Sequence, residues 1–275
     1  MERSTALKFE AEEKLLLESI NLKYNYDFRH YALPSMKRTL VHAMERMKCP
    51  TLAALQEKVI QDPACFEELV QSITIPVSEM FRDPAYFFGL REKVVPLLKT
   101  YPSIKVWIAG CSTGEEVYSL AILFHEEGLL ERTSFYATDI NPRGLEKAAK
   151  GILNLQAIPK FAENYHKSAG KHSVSDYYTT HSHSVQFKDF LKSNITFADH
   201  SLVTDSVFSE THFISCRNVL IYFDRELQNR AIGLFEESLC RRGFLGLGAQ
   251  ETIHFSKHAE NFNPFMKKER IFRKK

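Results

Sequence analysis

The chain predicts a mostly parallel, doubly wound α/β sheet preceded by a small all-helical domain. Three observations lead there. An apolar strand, Ile104–Ala109, runs into a loop bearing Gly110 and Gly114 and then into a helix that opens with Glu115 and Glu116. Downstream, short apolar runs alternate with helical patterns to the end of the chain, whereas residues 1–72 keep helical spacing and contain no convincing strand. Alternation of this kind specifies parallel strands with helices on both faces and places a ligand at the strands' carboxyl ends.

Taken in order, residues 1–72 form the helical domain. Asp62–Pro63 reads as a cap followed by a first-turn proline. Before it, Leu33, Met36, Leu40, Met44 and Met47 fall on one helical face as a core stripe. The opposite face is basic: between Lys23 and Lys48, six Lys or Arg stand against Asp27 and Glu45, net +4, although residues 1–72 as a whole carry ten basic and eleven acidic side chains. A solvated helix face is the plain explanation, and a docking surface for an acidic partner is the functional one. Residues 73–83 read as a linker contributing to the ligand site, with Arg82 a cation at the pocket mouth and Asp83–Pro84 starting a helix.

The larger domain spans 84–275. Strand 134–139 ends in Asp139, and Asn141–Pro142 starts a helix over 142–150. Residues 151–193, rich in Tyr, His, Ser and Thr, read as an irregular insert or long loop. Strand 194–198 leads to Ser201 and Leu202, and strand 211–216 leads to Arg217, Asn218 and Tyr222. Asp224 is expected to cap a helix reaching about residue 241. Gly243 begins a strand, and the closing RIFRKK reads as a final edge strand.

The loop after Ile104–Ala109 says what kind of ligand fits. A phosphate cradle needs G-x-G-x-x-G or a P-loop lysine, so that backbone N–H groups and a cation meet anionic oxygens. Here the glycines are four apart, no lysine follows, and Glu115 and Glu116 lie where a pyrophosphate would. Such a corner repels phosphate and suits a nucleoside with a positive centre, as S-adenosylmethionine is. Thr113 with the two acids supplies the helix start, while Asp139, one βαβ step later, is placed for ribose hydroxyls and left free by the Asn141 cap. A nicotinamide oxidoreductase would share the fold but lacks its glycine fingerprint here. A nucleic-acid methyltransferase would want an Asn/Asp-Pro-Pro-aromatic motif where RNVLIYF stands.

Bulk composition narrows the class further. A hydrophobic content of 44% argues against disorder, and a net charge of +2 gives no global pull toward nucleic acid. No run approaches the ~18 apolar residues of a spanning helix, and the first residues carry no apolar leader, so a cytoplasmic protein without membrane insertion is expected. The five cysteines are scattered without a CxxC pair, which fits reduced, buried thiols and no metal site.

The set MFRDPAYF, AGCSTGEEVYSLAI, ATDI, CRNVLIYFD and GLGAQE resembles the chemotaxis receptor methyltransferase family, the CheR type, from about residue 20 to the end. The resemblance implies a Rossmann-like methyltransferase sheet with an N-terminal helical domain. It also implies transfer of a methyl group from S-adenosylmethionine to receptor glutamates, with S-adenosylhomocysteine as product. Carried over, it makes Ser78 and Arg82 cofactor-side residues from the linker, Gly110 and Glu116 contacts in the first loop, and Asp139 the ribose ligand. Ser201 and Leu202 become adenine-side backbone contacts, Arg217 and Asn218 pocket residues, and Tyr222, with Arg82, an active-site group beside the transferred methyl. The basic face around Lys23–Lys48 would meet a chemoreceptor-like partner, an insert for a receptor tail falls within 151–193, and monomer is the default state. Pro76, Ser78, Ser201 and Ala249 depart from the residues common in the family (Asn, Thr, Asn and His), which leaves a non-catalytic S-adenosylmethionine-binding module as the alternative.

Overall fold

Capping side chains set the starts of the third and fourth helices. α1 (Glu2–Tyr24) and α2 (Leu33–Arg46) are followed by α3 (Leu52–Gln61), whose Thr51 cap accepts the Ala54 N–H, and by α4 (Pro63–Ile73), whose Asp62 cap accepts the Ala64 N–H. The computed structural model describes residues 2–74 and 78–275. Pro76 and the side chain of Leu33 therefore lie outside the described residues. Of the expected stripe on α2, Met36, Leu40 and Met47 are buried, together with Ala43, and Met44 is half-buried.

The chain's contacts group it into two units, and the helical one is discontinuous: Ile221–Gln228 belongs with it. Tyr31 and Phe223 make a single antiparallel bridge, their rings 5.2 Å apart. The Ala32 N–H donates to the Tyr222 carbonyl at 2.8 Å, and the Asp224 N–H to the His30 carbonyl at 2.9 Å. Asp224 caps the helix that follows, accepting the Leu227 N–H at 2.8 Å.

The basic face is less cationic than its sequence suggests. Arg29 is forked onto Asp27 and also meets Glu18 at 2.9 Å, while Arg46 meets Glu68 at 2.7 Å. Glu18 on α1 and Glu68 on α4 fall outside a count over 23–48. Lys37 lies over the Phe9 ring, 5.3 Å from its centroid.

The second unit, 76–220 with 229–275, opens with α5 (Pro84–Gly89), a π turn at Leu90–Val94 and α6 (Val95–Leu98). β1 (Ile104–Ala109), α7 (Glu115–Glu126), β2 (Thr133–Asp139) and α8 (Pro142–Lys150) follow. Then come β3 (Ile152–Asn154), α9 (Ile158–Lys167), β4 (Tyr178–Thr180), β5 (Ser184–Phe187), α10 (Asp189–Lys192), β6 (Ile195–Asp199) and β7 (Thr211–Cys216). α11 (Arg225–Ser238), which begins in the residues grouped with the helical unit, leads to β8 (Leu239–Leu247), β9 (Phe262–Met266) and β10 (Ile271–Lys274). The seven-stranded sheet has the order β6-β2-β1-β7-β8-β10-β9. Its strands from β6 to β8 run parallel, and β10 and β9 return antiparallel. β1 is buried on both faces, as its apolar run requires.

Three expectations are corrected. Residues 151–193 are regular rather than irregular: they hold helices and a three-stranded antiparallel sheet, β3-β5-β4. β8 begins at Leu239, not Gly243, because the helix stops at Ser238, whose carbonyl accepts the Thr211 hydroxyl at 3.1 Å. The closing strand, β10, is not the edge. β9 covers it, and Pro264 suits that outermost position because an edge strand has no ladder partner to lose on its open side.

Glu127, just past α7, ties three segments together. It receives Arg91 at 2.7 Å, Lys171 at 2.7 Å and Lys99 at 3.1 Å. Burial alone would raise its pKa, yet hydrogen bonds from Lys171, Arg91 and Lys99 outweigh it and bring the carboxyl down from 4.5 to about 2. A depressed folded pKa contributes stability that is present above pH 4.5 and lost as pH falls through about 2. Because Lys99 and Lys171 are half exposed, we expect Glu127→Gln to cost about 1–2 kcal/mol at pH 7. The difference from wild type should close between pH 4.5 and 2 in urea unfolding. A gap that stays constant across that window would contradict the linkage.

Candidate functional site

The first loop is folded around Asp139. Gly110 takes φ +77, and a Cβ there would run into Val219, so only glycine lets the two loops meet. The Ser112 N–H donates to Asp139 Oδ2 at 2.8 Å, and the Asn141 N–H to Oδ1 at 2.9 Å. Asn141 caps α8 as expected, accepting the Arg143 and Gly144 amides, but Asp139 is not left idle by that cap. Both its oxygens hold main chain, and a carboxylate's roughly four acceptor positions are not all taken by these amides. Burial pushes the Asp139 carboxyl up, against the pull of the Ser112, Asn141 and Ile140 amides, with Asp199 adding to the rise. Thr113 does not cap α7. Gly114, at φ 95, is the cap residue, and the Thr113 hydroxyl donates to Glu115 at 2.7 Å.

Across the strand ends, where the chain order reverses between β1 and β7, Arg217 gathers the next set. Its Nη1 meets Glu116 Oε2 at 3.0 Å, and its Nη2 meets both Asp83 Oδ2 and the Arg82 carbonyl at 2.8 Å. The guanidinium lies 4.1 Å from the Tyr86 ring centroid, a cation–π contact made in a water-poor place. Glu116 also accepts the Ser215 hydroxyl at 2.6 Å, and that hydroxyl sits 2.7 Å from Tyr86 Oη. Burial opposes the charge on Arg217, but Glu116, Tyr86 and Asp83 outweigh it and hold its pKa above the ordinary value.

The linker's end is pinned residue by residue. Phe81 and Asp83 take φ 51 and 58 on either side of Arg82. Such left-handed backbone in non-glycine residues persists only where surroundings impose it. Here Asn164 donates to the Met80 carbonyl at 3.0 Å, the Phe81 N–H to Ser119 Oγ at 2.8 Å, and Arg217 to the Arg82 carbonyl. The Phe81 ring packs against Phe87, Phe161 and Tyr165. Arg82 and Ser78 are both half-buried.

The remaining predicted residues divide. Ser201 and Leu202 follow β6, beside Asp139, since Asp199 pairs with Asp139 in register. The Ser201 main chain is used internally: its N–H goes to Asp205 Oδ2 at 2.8 Å, and its carbonyl takes the Asp205 N–H at 3.0 Å. Asn218 lies at φ 60 just beyond Arg217. Tyr222 falls in the segment grouped with the helical unit, where its side chain is half-buried. Arg82, Glu116 and Arg217 are thus joined in one network, Gly110 and Asp139 in the loop beside it. Sequence reasoning missed Asp83, Tyr86 and Ser215. Asp83 and Tyr86 lie inside the quoted MFRDPAYF, where only their polar side chains among aromatics could have flagged them.

The chemistry of this set fits S-adenosylmethionine. Carboxylates stand at the ends of β2 and β6 and in the first turn of α7, and the cation of Arg217 is already matched by acids.

Comparison with known proteins agrees in outline. Residues 11–74 match the CheR methyltransferase all-alpha domain, and residues 76–271 match the CheR methyltransferase SAM binding domain. A Pseudomonas putida protein named Cher3 is 57% identical over 263 residues, covering 96% of both chains. A chemotaxis protein methyltransferase of Listeria monocytogenes is 31% identical over 229 residues, covering 82% of this chain and 84% of that one.

Proposed function

Because the chain belongs to the CheR methyltransferase family, whose cofactor is S-adenosylmethionine, we propose that it methylates glutamate carboxylates of a chemoreceptor-like protein. The products are glutamate methyl esters and S-adenosylhomocysteine. The observation that supports the reading is the corner in which Asp139 holds the first loop and Glu116 pairs with Arg217, a setting that favours a nucleoside without phosphates. When bound, the cofactor supplies an electrophilic methyl group on a sulfonium. A glutamate carboxylate oxygen held in line would take that methyl group, with the sulfur keeping the electron pair of the bond that breaks.

The chain's own residues have little proton chemistry to do. A glutamate with a reference pKa near ~4.3 is already ionised at neutral pH, so no general base is needed. What is needed is alignment and exclusion of water, which in favourable cases supplies on the order of 7 kcal/mol or more. Asp139 accepts the ribose hydroxyls through the acceptor positions its main-chain bonds leave, and Glu116, Gly110, Asn218, Ser201, Leu202 and Ser78 line the same site. Arg82, its backbone fixed on both sides, orients the incoming carboxylate by charge-assisted hydrogen bonds, and the Tyr222 hydroxyl stands beside the transferred methyl. The surviving cations of the Lys23–Lys48 face meet the acidic partner, and the antiparallel sheet of 151–193 offers a place for a receptor tail.

Tritiated methyl transfer to receptor fragments, followed by base-labile release of methanol, tests the reading. Labelled, alkali-sensitive product is expected. Cofactor binding without any transfer would mark a non-catalytic module instead. In the same assay Arg82→Ala is expected to lower kcat/KM on the order of 100-fold and Tyr222→Phe about 10-fold. Unchanged rates in both would discard these roles.

A further inference from the structure

Glu251 is almost wholly buried, 3% exposed, and no step described above uses it. Its Oε1 accepts the Val219 N–H at 2.9 Å. Its Oε2 accepts the Asn218 N–H at 3.0 Å and the Gly248 N–H at 2.6 Å. The three amides belong to two loops, one leaving β7 and the other leaving β8, both at the carboxyl ends of the parallel strands. Asn218 sits in left-handed backbone, and Val219 is the side chain that fills the space above Gly110. A Cβ on Gly248 would lie 2.7 Å from Glu251 Oε2 and 2.9 Å from the Asn218 nitrogen, so the second loop comes this close only because residue 248 is glycine.

We infer that Glu251 is a positioning residue for the cofactor site: its carboxylate clamps the Asn218–Val219 turn to the β8 loop and so holds Asn218 toward the cofactor. The inference rests on the reading of Asn218 as a cofactor-side residue. A carboxylate is the group such a place demands. Three N–H donors converge on it, and both oxygens act as acceptors. A glutamine would set its own NH2 against at least one of those donors whichever way it turned. The consequence is specific to cofactor capture. The clamp sets the shape of the empty crevice, whereas alignment of the methyl acceptor depends on Arg82 and Tyr222.

The test compares wild type, Glu251→Gln and Gly248→Ala. Both variants are expected to raise the KM for S-adenosylmethionine and the Kd for S-adenosylhomocysteine at least tenfold, with kcat at saturating cofactor within twofold of wild type. A fall in kcat with KM and Kd unchanged, the signature of a smaller folded fraction, would overturn the clamp. Amide exchange in wild-type protein without cofactor gives a second measurement that needs no variant to fold. Slow exchange is expected at Asn218, Val219 and Gly248, and exchange at the rate of unprotected amides overturns the inference. Failure of the underlying site reading looks different, since wild-type protein would then give no heat with S-adenosylhomocysteine while the three amides could still be protected.

Discussion

Arg217→Met is expected to lower the unfolding free energy by about 3–5 kcal/mol, the usual result of removing one partner from a buried ion pair. The Arg217 side chain is 1% exposed and that of Glu116 15%. Losing the guanidinium leaves the Glu116 carboxylate with the Ser215 hydroxyl, turns the exposed Asp83 over to solvent, and removes the donor that holds the Arg82 carbonyl. The Tyr86 ring loses its stacked cation as well. Urea titration measures the effect as a shift in midpoint at constant slope. Adding Glu116→Gln should recover part of the loss, because the uncompensated charge goes with it. A single variant within 1 kcal/mol of wild type would mean that water reaches the pair and that it organises nothing.

Asp139→Ala should weaken binding of S-adenosylhomocysteine on the order of 100-fold, from the loss of charge-assisted bonds to the ribose. The fold should survive, but at a cost, because the Ser112 and Asn141 amides lose their acceptor. Acid adds a sharper test. Burial raises the Asp139 pKa above its ordinary 3.8, so the folded protein takes up this proton more readily than the unfolded chain does. The stability owed to this group is therefore full below pH 3.8 and lost as pH rises through the folded value. Cofactor affinity runs the other way. It should fall on acidification before pH 3.8 is reached, as the carboxylate becomes a hydroxyl donor. Calorimetric titration across this range should show the fall in wild type and not in Asp139→Asn. Equal affinities for wild type and the alanine variant at pH 7 would remove Asp139 from the site.

What could be read from the sequence follows the length scale of the signal. β1 was legible because five of its six residues obey one burial rule, and the caps Asp62, Asn141 and Asp224 were legible because capping is a contact between near neighbours. The sheet of 151–193 escaped because its strands are three or four residues long, too short for alternation to register, and one of its two outer strands is Tyr-Thr-Thr. Pro264 hid β9, since proline argues against a strand unless its edge position is known. The pairing of Glu116 with Arg217 joins residues far apart in sequence, and nothing local to either announces it. Glu251 is the same case: its motif was visible as GLGAQE, but only the folded chain shows three amides turned toward that one side chain.

The hydrogen bonds from Ala32 to Tyr222 and from Asp224 to His30 bear on how this protein is made and dissected. A nascent chain releases its first 75 residues from the ribosome well before Ile221–Gln228 emerges, so the helical unit waits for its last piece through most of translation. Cutting the gene near residue 75 does not yield two whole domains. It leaves one fragment without its closing segment and the other carrying an orphaned stretch that includes Tyr222.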